Sequence, residues 1–159
     1  MESYNISIFD VAAYFIYLAN NEDKNELTPL KLQKLVYYAQ AFVIAFCKRR
    51  LFNEPIQAWR HGPVCPELYR AYRMYGYHHI TAIQTLGNAD SIINNNIVKA
   101  IIDAIWETFG KFSGPQLEEM THQEDPWRDA IRHGVNTLIS DVSMQRYFAP
   151  IVKKNEENL

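Results

Sequence analysis

Cysteine, glycine and proline are all scarce, at 2, 6 and 7 of 159 residues. Two cysteines, Cys47 and Cys65, make neither a CxxC pair nor a disulfide framework, so they are read as free cytosolic thiols. Few glycines and prolines argue against a turn-rich sandwich or barrel and for a mostly helical domain. No apolar run approaches the 18 residues that a membrane-spanning helix needs. The opening segment MESYNISIFD has neither a basic stretch nor an apolar one, so no secretory leader is expected and the protein is placed in the cytoplasm. Charge of one sign is lacking too. The formal net charge is −2, a poor footprint for a protein that holds phosphates, and nucleic acid is not the expected partner. What is present is apolar and aromatic mass, 48% and 13% of residues, enough for a real core in one domain.

Caps and periodicity divide the chain. Ser7, with Asp10 three residues on, opens a first helix as a capping box; its stripe is Ile8, Val11, Ala12, Phe15 and Ala19 and it ends near Asn20-Asn21. A polar loop follows, residues 21 to 26. Thr28 as N-cap and Pro29 as first helical residue open a second, long helix. Its stripe is Leu32, Leu35, Val36, Ala39, Val43 and Phe46, and it ends at the cations 48 to 50. Residues 56 to 60 alternate as a short strand, and Gly62-Pro63 then make a tight, irregular turn. Pro66 starts a helix carrying Leu68, Tyr69, Tyr72 and Tyr75, closed by Gly76. A second strand is read at 79 to 82. A fourth helix spans 91 to 109, with Ile93, Ile97, Ile101, Ala104 and Ile105 inward. Ser113 and Gln116 form another capping box, Asp125-Pro126 cap a short helix, and a third strand falls at 136 to 140. A last helix holds Val142, Tyr147 and Phe148 and is interrupted at Pro150; residues 153 to 159 are read as a charged, frayed tail. The fold class is therefore mainly α, a single helical domain with a small two- or three-stranded accessory β-sheet, and the second and fourth helices form its centre.

The candidate site residues carry two readings each. Trp59 and Trp127 are either core indoles with each N–H on a carbonyl, or exposed anchors for a partner. Lys31, Lys34 and Tyr38 share the face opposite the apolar stripe, so they form either a solvated face or a recognition surface. Five histidines invite a metal reading, but HExxH is absent, and Glu118 and His122, spaced i, i+4 with Asp125 near, lack a third ligand. Neither a metal nor a cofactor is expected. His122 is instead read as tying its helix end to the 125–127 turn by a hydrogen bond. His61 and Cys65 are separated by Pro63 and lack an orienting acid, so a cysteine nucleophile is not supported. Glu118, Glu119, Glu124, Asp125 and Asp129 read as a solvated acidic face, or one that meets a basic partner.

Three runs, in order, resemble a known family. LTPLKLQKLVYYAQ (27–40), LFNEPIQAWRHGPVCPELYRAY (51–72) and SGPQLEEMTHQEDPWRDA (113–130) are similar to the signatures of the Panacea domain, the SocA-like, phage-associated GepA-type family. The C-terminal Tyr147-Phe148 pair is similar too, while 80 to 100 carries little signature. The resemblance implies one domain over 1–152 and an antitoxin, not an enzyme, that neutralises a cognate toxin encoded nearby by binding it. As an alternative it implies an adaptor that delivers the toxin to a AAA+ protease. From a different class, a small enzyme with a histidine–acid or metal site around His61, His122 and Asp125 remains as a further reading. The resemblance marks Lys31, Lys34, Tyr38, Trp59, His61, Gly62, Pro63, Tyr69, His122, Pro126 and Trp127 as partner-binding or signature residues. His61 stands where the family usually has tyrosine, keeping a planar ring and gaining a titratable one.

Overall fold

The computed structural model describes residues 1–24, 26–81 and 86–157. Its helices are α1 (Ile8–Asn20), α2 (Pro29–Cys47), α3 (Pro66–Tyr72, continued by a 3-10 turn Arg73–Tyr75), α4 (Asp90–Ile93), α5 (Asn96–Phe109), α6 (Gly114–His122), α7 (Asp125–Ile131) and α8 (Asp141–Glu157). Three short strands, β1 (Gln57–Trp59), β2 (Gly62–Val64) and β3 (Thr137–Leu138), form an antiparallel sheet in the order β2-β1-β3. The expected class, mainly α with a three-stranded accessory sheet, is what the chain adopts.

Several local readings hold because the chemistry is local. Thr28 accepts the Lys31 N–H with Pro29 at the first turn. The Ser113–Gln116 box is complete in both directions, at 3.2 and 2.8 Å. Other readings are corrected. Ser7 does cap α1, through the Phe9 N–H, but Asp10 does not close the box; its carboxylate accepts from the Asn88 N–H at 2.8 Å. The anticipated fourth helix breaks at Asn94-Asn95, because the Asn95 side chain caps Val98 and starts α5 afresh. The break turns the stripe by one residue. Val98, Ile102 and Ile105 face inward, and Ile97 is largely exposed. Pro150 does not interrupt α8; it lies inside the helix at an exposed position, where the carbonyl four residues earlier can turn to water. Residues 79 to 81 form no strand, the Ile80 N–H bonding the Leu27 carbonyl instead, and residue 82 lies outside the described residues.

The largest correction concerns α2. The expected stripe is buried except for Phe46, but so is the opposite face: Lys31, Gln33, Lys34, Tyr37, Tyr38 and Gln40 are all buried. The helix is packed by α1, α3, α5, α6, α8 and β2, so no side is left to solvent. The centre is thus α2 alone, with α5 and α8 among its walls. Tyr38 stacks on Phe109 at 4.3 Å, and Phe42 lies 5.0 Å from Phe148, an aromatic nucleus between the three.

Gly62-Pro63 is the other misreading. The tight turn is Arg60-His61, and Gly62-Pro63 begin β2, with Trp59 paired to Gly62. Gly62 has φ +103°, and a Cβ there would sit 2.7 Å from Lys34 Cε and 2.9 Å from Thr121 Oγ1. Strain and crowding therefore act together. Gly62→Ala should lower the unfolding free energy by about 1–3 kcal/mol, read as an earlier urea midpoint with unchanged slope.

Candidate functional site

The three signature runs converge on the hairpin. Lys34 reaches from α2 and donates from Nζ to the Pro63 carbonyl at 3.1 Å. From α6, Thr121 packs against Gly62 and donates to the Glu118 carbonyl at 2.7 Å, which holds its hydroxyl in place. Glu118 turns back to the hairpin tip, with Oε1 2.8 Å from His61 Nδ1. From α7, the Trp127 indole donates to the Trp59 carbonyl at 2.8 Å. Trp59 itself donates to Gln57 Oε1 at 2.9 Å and lies edge-on to Tyr69 of α3, centroids 5.1 Å apart. Lys34, Trp59, His61, Gly62, Pro63, Tyr69, His122 and Trp127 are thereby gathered around one hairpin, and the buried Pro126 fixes the first turn of α7 beneath it.

Both indole N–H groups are satisfied, as a structural role for Trp59 and Trp127 requires, although Trp59 uses a side-chain amide rather than a carbonyl of the backbone. Both rings stay half-buried. His122 differs from expectation. It stacks flat on Trp127 at 4.1 Å, and its buried Nε2 has no hydrogen-bond partner among the described residues. Packing, not a hydrogen bond, ties the end of α6 to α7. Lys31 stands apart from this cluster; its Nζ bonds the Gly110 carbonyl and lies 5.6 Å from the Trp106 ring centroid.

A second polar contact lies deeper. Tyr38 Oη donates to Glu124 Oε2 at 2.9 Å, so Glu124 is not part of a solvated acidic face. Glu119, Asp125 and Asp129 do face solvent. Burial pushes the Glu124 carboxyl up to about 7, against the lowering effect of the Tyr38 bond. Burial drives the Lys34 amine down to about 7, with Glu118 opposing. Tyr38 is pushed far up by the same burial and by Glu124. Both Lys34 and Glu124 are therefore poised between charge states at neutral pH, out of reach of solvent.

Sequence reading missed Gln33, Gln40, Glu118, Thr121 and Glu124 as structural partners. Gln33 holds both the N–H and the carbonyl of Cys65, at 2.9 and 3.1 Å. Seven residues on, Gln40 bonds the Leu51 N–H and the Phe52 carbonyl, at 2.7 and 2.8 Å. The signal was there: beyond Lys34 the supposed solvent face reads Tyr37, Tyr38, Gln40, Ala41, with no charge at all.

Surface cavities of about 480 and 340 Å³ exist elsewhere, one between α1 and α5 and one beside β3 and the start of α8. None of the candidate residues lines either. Among the described residues, no cluster of three metal-ligating side chains occurs, and no helix is long and apolar enough to cross a membrane. The site is a cluster of buried polar contacts under a surface hairpin, with an aromatic rim.

Such an arrangement is a helical frame that presents a hairpin. Residues 32–128 match the family described as Antitoxin SocA-like, Panacea domain, and the chain belongs to it. It is 31% identical over 119 residues to Antitoxin SocA of Caulobacter vibrioides (strain NA1000 / CB15N), a match covering 70% of this chain and 63% of that relative. No solved structure matches it.

The two poised groups give stability a shape against pH. Glu124 keeps its proton in the fold up to about 7, whereas the unfolded carboxyl releases it near 4.5. The fold then binds more protons, so stability falls as pH rises from about 4.5 to 7. Lys34 reverses the sign: between about 7 and 10.5 the unfolded chain holds the extra proton, and stability rises with pH. Each limb should slope by roughly 1 kcal/mol per pH unit. In urea titrations across pH, Glu124→Gln should flatten the lower limb only, and Lys34→Met the upper only. Identical profiles for wild type and both variants would refute the assignment.

Proposed function

We propose that this chain is an antitoxin that neutralises a cognate toxin by direct protein–protein binding in the cytoplasm, without catalysis. The observation that carries the reading is membership of the antitoxin family over the residues that build the hairpin cluster. The geometry supports it in two ways. The signature residues Lys34, Gly62 and Pro63 are consumed in holding the hairpin rigid, which lowers the ordering cost of an encounter. His61, Tyr69 and the half-buried Trp59 and Trp127 remain at the surface, the residue types that anchor interfaces. A face of about 800 Å² around them is sufficient for a stable complex.

Co-expression with the product of the neighbouring reading frame tests this. Toxicity of the neighbour alone, rescue by this chain, and co-purification in a fixed ratio are expected. Rescue accompanied by loss of the toxin from the cell would point instead to delivery to a AAA+ protease. A harmless neighbour, or one this chain neither rescues nor captures, would sink the reading.

A further inference from the structure

The outer face of α3 and its 3-10 extension is unlike the rest of the surface. Leu68 and Tyr72 hold the segment to the core, and Gly76, at φ +56°, ends it. Facing outward are Tyr69, Arg70, Arg73 and Met74, with Tyr77 in the turn just beyond Gly76. Met74 is 78% exposed and Tyr77 96% exposed, a large apolar and aromatic area left to water. The side chains of Arg60, Arg70 and Arg73 make no hydrogen bond or ion pair among the described residues. From residue 57 to 79 the sequence carries these three arginines and a single carboxylate, Glu67, in a chain of net charge −2. Trp59, edge-on to Tyr69, joins this face to the hairpin.

We propose that this face is where the cognate toxin docks, through a segment of the toxin that carries carboxylates beside an apolar surface. The inference rests on the antitoxin reading and gives it a place and a chemistry. Tyrosine, methionine and arginine are the types enriched at interface cores, and here they sit together on α3, its 3-10 extension and the turn that follows, a segment anchored from behind by Leu68 and Tyr72. Unpaired guanidinium groups fit carboxylates in a forked, two-bond geometry. Complementarity of charge therefore selects an acidic partner surface. Phosphate as the target fits less well: Met74 has no role against a sugar–phosphate backbone, and three arginines make a small footprint.

The test uses the whole chain, tagged and co-expressed with the neighbouring gene's product. Arg70→Glu with Arg73→Glu should cut co-purification by about tenfold or more and abolish growth rescue. Met74→Ala with Tyr77→Ala should weaken capture without any change of charge. Val135→Ala with Leu138→Ala, exposed apolar residues in the turn before β3 and on β3 itself, should leave capture and rescue intact. All are surface positions, and melting curves by circular dichroism should stay within a few degrees of wild type. Capture by folded R70E/R73E equal to wild type overturns the proposal while the antitoxin reading stands. Loss of promoter DNA binding in R70E/R73E with toxin capture unchanged also overturns it, in favour of nucleic acid. Failure of the wild-type chain itself to rescue or capture defeats the antitoxin reading, and this inference with it.

Discussion

A helix enclosed on every side cannot leave a polar side chain unanswered. The α2 helix carries two lysines and two glutamines into the interior, and water is not there to satisfy them. Each is answered by backbone outside the helix: Lys31 by Gly110, Gln33 by Cys65 at the start of α3, Lys34 by Pro63 on β2, and Gln40 by Leu51 and Phe52. The debt of burial runs in both directions, because Leu51, Phe52, Pro63 and Cys65 are themselves buried and their backbone groups need partners. One helix therefore fixes the end of α5, the chain leaving α2, the second strand and the start of α3. Apolar contact supplies most of the stabilisation, but these bonds decide which loop lies where.

The same constraint explains what could be read from the residues and what could not. Caps such as Thr28 and the Ser113–Gln116 box depend on atoms within three residues, so spacing alone reveals them. Whether Lys34 faces water depends on β2 and α6, which lie about 30 and 85 positions away in the chain, and no local pattern encodes that. Periodicity assumes one wet face, and α2 has none. The Asn94-Asn95 break was locally visible, since asparagine favours caps, but an apolar stripe spaced to continue through it outweighed the signal. The candidate residues come from three separated motifs and meet only in the fold. Eight of the eleven candidates gather at the hairpin, while Lys31 belongs to another loop and Tyr38 and Pro126 lie beneath. What the residues contact, carbonyl or ring, came only with the fold.

Lys34 and Glu124 deserve comparison with an apolar alternative. A methionine in place of Lys34 would avoid the desolvation of an amine, yet it would leave the Pro63 carbonyl without its donor. The buried polar pair of contacts thus trades stability for position, as isolated buried polar groups do in specifying register. Here the quantity positioned is the hairpin. Gly62 has no room for a side chain because Lys34 and Thr121 fill it, and the next residues out, Arg60 and His61, are held by a strand that cannot slide. Rigid placement of two exposed residues is the end product of four buried ones.

A division of labour follows for the whole molecule. Signature residues that are buried build the frame, and their substitution acts through stability. Other side chains leave the frame, on the hairpin tip and the outer face of α3. His61 illustrates the boundary: it is exposed, yet Glu118 holds its ring from behind. A tyrosine at that position could keep the planar face but would meet Glu118 as a phenol donor rather than as an imidazole. The change therefore alters the hydrogen-bonding group presented at the tip while the frame beneath stays the same. The Lys34 bond that fixes the hairpin from within is made by a buried side chain, so an outward side chain such as Arg60 can change without breaking it.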